Sequence, residues 1–77
     1  MDEKERLAQR ALEFLKREAA ARGTPGAEGV FLQLDPSQGD IASLMGMSRA
    51  EATRALNALK LRGIIRMEGS TIILRRP

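Results

Sequence analysis

Apolar residues recur at helical spacing through the opening stretch of the chain. Leu7, Ala11, Phe14, Leu15 and Ala19 stand mostly three or four apart, with charged residues between them. Each residue of an α-helix turns by about 100°, so this spacing gathers them into one stripe and predicts an amphipathic helix over residues 3–22. Ala8 and Leu12 widen the stripe to a second side, which reads either as a broad core contact or as a face that meets another domain. Residues 23–29, Gly-Thr-Pro-Gly-Ala-Glu-Gly, form a loop by composition. The run Val30-Phe-Leu-Gln-Leu34 then predicts a short strand, ended by Asp35-Pro36. Proline disfavours helix at the residue before it, so a new element starts afterwards.

That element comes with two helix-start signals on either side of one glycine. Ser37 with Asp40, and Ser48 with Glu51, each have the form of a capping box, in which two side chains satisfy each other's backbone N–H groups. Gly46 lies between them, where a first helix must stop at a residue tolerant of positive φ. The predicted helix-turn-helix covers residues 37–62. In its second helix, Ala52, Ala55, Leu56 and Leu59 share one face, and small Ala52 and Ala55 allow close packing on Ile41, Ala42 and Met45. Ala50, Thr53, Arg54, Asn57 and Leu61 fall on the opposite face, flanked by Arg49 and Lys60. After Gly63, two apolar runs surround Glu68-Gly69-Ser70 and predict a hairpin over residues 64–75. Helix, strand, helix, helix and hairpin make a single α+β domain, a small winged helix-turn-helix over residues 1–77.

Composition narrows the chemistry. At 77 residues the chain holds one small core. It contains no cysteine and no histidine, which removes disulfides, thiolate metal sites and the commonest general base together. Asp35, Asp40, Glu51 and Glu68 fall in turns, caps or the hairpin tip, so no enzyme, metal or cofactor is expected. The charged N-terminus is unlike a signal peptide and no apolar run is long enough to span a membrane, so a soluble protein of a reducing compartment is expected. The net charge of +3 is uneven: residues 1–22 sum to +1, residues 23–47 to −3 and residues 48–77 to +5. This places the positive field over the second helix of the motif and the hairpin, as a phosphate-binding face requires.

Three segments carry a resemblance to a known family. Arg6-Leu-Ala-Gln-Arg-Ala-Leu-Glu-Phe-Leu15, Gly46-Met-Ser-Arg-Ala-Glu-Ala-Thr-Arg-Ala-Leu56 and Gly63-Ile-Ile-Arg-Met-Glu-Gly-Ser-Thr-Ile-Ile73 look like the C-terminal DNA-binding domain of Crp/Fnr-type bacterial regulators. Gln33-Leu-Asp-Pro-Ser-Gln-Gly-Asp-Ile-Ala42 is similar to that family's entry into the helix-turn-helix. Other winged-helix regulators, the GntR type above all, share the Ser-Arg…Arg-Ala-Leu…Gly-Ile run. The resemblance implies sequence-specific binding of double-stranded DNA, with residues 49–62 as the recognition helix in the major groove and the wing on the phosphate backbone. It implies that Arg49 and Arg54 meet DNA, and an arginine can bind guanine O6 and N7 bidentately. Where the family often has glutamate after the Ser-Arg pair this chain has Ala50, so the family's usual half-site does not carry over.

The expected base-contacting residues are Arg49, Ala50, Thr53 and Arg54. The expected phosphate-contacting residues are Ser37, Gln38 and Gly39 at a helix N-terminus, Ser48 and Asn57 on the second helix, and Gly69, Ser70 and Thr71 at the wing tip. Ser37 is also a cap, and Glu51 closes a capping box or takes a DNA role. The family's sensing domain and dimerisation helix lie upstream of the matching region, so the intact protein is expected to be a homodimer and this chain a monomer or a weak dimer. The loop at residues 23–29 corresponds to a place where some family activators touch RNA polymerase; the other reading is a flexible connector. A winged helix used only for protein–protein association remains the rival from a different class.

Overall fold

The computed structural model describes residues 2–34 and 39–76, the side chains of residues 39 and 40 excepted. The first helix, α1, is Glu3–Arg22, and the Asp2 carboxylate caps it by accepting from the Glu5 N–H at 2.8 Å. Its buried face holds Leu7, Ala8, Ala11, Phe14 and Leu15. Two strands follow, β1 at Thr24–Pro25 and β2 at Gly29–Gln33. Then come α2 at Gly39–Leu44 and α3 at Arg49–Leu61, and the chain closes with β3 at Ile65–Glu68 and β4 at Thr71–Arg75.

The strands form one antiparallel sheet in the order β1-β2-β4-β3. Glu68 pairs with Thr71 across a two-residue Gly69-Ser70 turn, and Gly69 takes a φ of 57°, the left-handed conformation that such tight hairpins need. Alternation along the strands turns Leu32, Ile65 and Ile72 into the core beside Leu15, Leu56 and Leu59, all 2% exposed or less. Fully burying one such side chain contributes roughly 1.5–3 kcal/mol. The helix that α1 packs against most is α3. Ile73 lies on the opposite face of the sheet yet is fully buried, with Phe31 and Arg66 as its register partners on either side.

Two sequence expectations need correction. Residues 23–29 are not all loop, because Thr24 pairs with Phe31 and Pro25 with Val30. Composition flags the turn at Gly26 but is blind to a two-residue pairing at the sheet edge, where proline's missing N–H does no harm. The second concerns charge, since the wing's cations do not simply add to the face of α3. Arg66 donates to both Glu28 oxygens, at 2.7 and 2.8 Å, and also to Glu68, while Arg75 lies 3.7 Å from Glu28. Much of the expected positive field over the hairpin is thereby matched by carboxylates. The proposed Ser37–Asp40 capping box lies outside the described residues.

Candidate nucleic-acid interface

The corner between α2 and α3 is built by backbone geometry. After Leu44, the Gly46 N–H donates to the Ser43 carbonyl at 3.0 Å and the Met47 N–H to the Ala42 carbonyl at 2.9 Å. This pair of bonds is a Schellman closure, which requires a left-handed residue between them. Gly46 supplies it with a φ of 71°. Ala42 and Met47 are both buried, giving the apolar contact that accompanies such an ending. The end of α3 repeats the device: Gly63 has a φ of 73°, its N–H donates to Lys60 and that of Ile64 to Leu59, each at 3.0 Å.

One contact at this corner has no local signal in the sequence. Arg10 of α1 donates through Nη2 to the carbonyls of Met45 and Gly46 at 3.1 and 3.2 Å. It thus places a cation on the carbonyl end of α2, where the helix dipole favours it. Ser48 then opens α3. Its Oγ accepts from the Glu51 N–H at 3.1 Å, and its own N–H donates to Glu51 Oε1 at 2.9 Å. The bond from the Ser48 N–H holds the Glu51 carboxyl below its ordinary value. Glu51 is therefore committed to the cap, held by both the backbone N–H and the side chain of Ser48.

Beyond the cap, α3 presents a continuous outward face. Arg49, Ala50, Thr53, Arg54, Asn57, Lys60 and Leu61 are all exposed, Leu61 by 84%. Thr53 donates its hydroxyl proton to the Arg49 carbonyl at 3.0 Å. Lys4, which sequence reasoning missed, joins this face from α1 and lines with Arg54, Asn57, Ala58 and Leu61 a shallow hollow of about 230 Å³. The four expected base-contacting residues thus share one helix surface with Asn57. Ser48 stands at its N-terminus, and Gly69 and Ser70 are exposed at the hairpin tip, with Thr71 partly covered. Nothing lies within 4 Å of the side-chain position at Gly69, so the wing tip is open to an approaching surface. Gly39 begins α2, while Ser37 and Gln38 lie outside the described residues.

Among the described residues, no group of three His, Cys, Asp or Glu side chains could hold a metal ion, and no helix is long and apolar enough to cross a membrane. Residues 5–77 match the sequence profile of the Crp-like helix-turn-helix domain. No curated protein matches the chain. Among solved structures, the chain is similar to CooA from Carboxydothermus hydrogenoformans. A mutant of that protein is 31% identical with a TM-score of 0.72, the match covering 97% of this chain and 33% of that one. Its imidazole-bound form, described as a CO-dependent transcription factor, is 30% identical with a TM-score of 0.74 over 92% of this chain and 33% of that one. The c-di-GMP-responsive global regulator CLP of Xanthomonas campestris shares the fold, with a TM-score of 0.75 at 23% identity over 92% of this chain and 34% of that one. The chain therefore spans about a third of the length of these structures.

Proposed function

The chain belongs to the Crp-like helix-turn-helix family of DNA-binding domains, and from that premise we propose that it binds duplex DNA sequence-specifically in bacterial transcription regulation. The observation that carries this reading is the outward face of α3. A helix of 13 residues is about 20 Å long and fits the major groove, which is about 12 Å wide. Arg54 is exposed on that face and is the principal base reader. Arg49, at the first turn, reads a base or holds a phosphate, and Ala50 and Thr53 lie against the base edges between them. Ser37, Gln38, Gly39, Ser48, Asn57 and the wing tip at Gly69, Ser70 and Thr71 hold the phosphate backbone. Such contacts fix register and supply salt-dependent affinity.

In this reading, ligand sensing and dimerisation belong to parts of a longer protein outside these 77 residues, and that protein binds as a two-fold dimer to half-sites about one DNA turn apart. The 77-residue chain itself is a monomer, acting in the cytoplasm at the nucleoid. The β1–β2 hairpin, tied down through Glu28 to Arg66 and through Gly26 to Arg76, is an ordered projection available to RNA polymerase.

A backbone-amide NMR titration with a mixed-sequence duplex at low salt tests the proposal. Shifts concentrated at residues 37–39, 49–57 and 69–71, fading as salt rises, support a groove-docked α3 with its wing on the backbone. Shifts confined to residues 1–22, or none, would sink it and leave a domain for protein association.

A further inference from the structure

Resting on the DNA-binding reading above, we infer that α3 reads thymine through its C5 methyl group, with Ala50 and Thr53 as the apolar contacts and Arg54 on a nearby guanine. Three observations carry this. Thr53 gives its only hydroxyl proton to the Arg49 carbonyl at 3.0 Å, so it has no donor left for a base and offers its methyl group instead. Ala50, exposed one turn earlier on the same face, offers only a methyl. Glu51 is the sole carboxylate of α3, and it is turned back onto the Ser48 N–H at 2.9 Å. The outward face therefore lacks the acidic acceptor that would take a hydrogen bond from the cytosine amino group.

What remains is a pair of methyl groups beside a guanidinium, and the major groove marks thymine by an exposed methyl and guanine by two acceptors. Residues three or four apart on a helix have their side chains about 5–6 Å apart, while base pairs rise by about 3.4 Å. The thymine thus lies within about two base pairs of the guanine.

Selection from a random duplex library with the 77-residue chain at low salt, followed by sequencing, gives the preferred site. Each thymine in it is then replaced by deoxyuridine, which removes only the methyl group, and binding is followed by fluorescence anisotropy. Thymine enriched next to guanine is expected, with binding weakened about fourfold per contacted thymine, the factor that burying one methyl-sized group supplies. In Thr53→Ser and Ala50→Gly the difference between thymine and uracil disappears at one position each. Enrichment of a site whose thymines can all be replaced without loss, or whose loss persists in both variants, overturns the methyl reading and leaves DNA binding standing. Equal retention of all sequences, or of none, removes both.

Discussion

Arg54 and Arg10 are both exposed arginines on helices, yet their side chains have different tasks. Arg54 stands on the outward face of α3, whereas Arg10 is fixed to two carbonyls at the corner before it. Arg54→Ala should therefore leave thermal stability unchanged and reduce discrimination between a preferred and a random duplex by roughly 1–3 kcal/mol, as read by competition anisotropy. Unchanged discrimination would assign base reading elsewhere. Arg10→Ala should act the other way. It uncovers the Met45 and Gly46 carbonyls and costs about 1 kcal/mol in urea unfolding, with little change in base preference once the domain is folded. Neither effect follows from net charge, since both substitutions remove one positive charge.

At the scale of elements, the two helices of the motif depend on how they end. Gly46 combines a left-handed φ with a tight position, because a Cβ there would come 2.8 Å from the Arg10 guanidinium. Gly46→Ala should then lower stability by roughly 1–2 kcal/mol through backbone strain alone and shift the Arg10 side-chain signals in NMR spectra; intact signals would show that the corner relaxes around the added methyl. These endings were legible in the sequence, because a capping residue, its partner three positions on and a glycine after the last apolar residue are all local. So was the outward face of α3, through helical periodicity. Arg10 at the corner, Lys4 beside α3 and the pairing of Glu28 with Arg66 were not legible. They join residues 35 or more positions apart, and no local pattern encodes such a meeting. The β1 strand escaped for another reason: two residues are too few to show alternation.

Across the whole molecule, the back of the sheet is closed by charge as much as by apolar packing. The Arg66 hydrogen bonds hold the Glu28 carboxyl below its ordinary value of 4.5. Its contribution to stability is therefore fully present above that value and fades as the pH falls through the lowered folded-state value. The melting temperature should drop on acidification below about pH 4.5, and Glu28→Gln should flatten part of that drop; an unaltered acid limb would assign it to the other carboxylates. The same pairing keeps Arg66 and Arg75 on the sheet's back face, so salt dependence of DNA binding should reside mainly in α3.

The packing of α1 on α3 has a mechanical consequence. The two helices share one dense core, in which no polar residue is buried among the described residues, and Arg10 ties α1 to the corner from which α3 starts. Close-packed interiors transmit strain and barely compress. A turning force applied to α1 is thus delivered to α3 with little lost in between, and the outward face rotates through nearly the same angle. The domain behaves as a lever whose handle is its first helix.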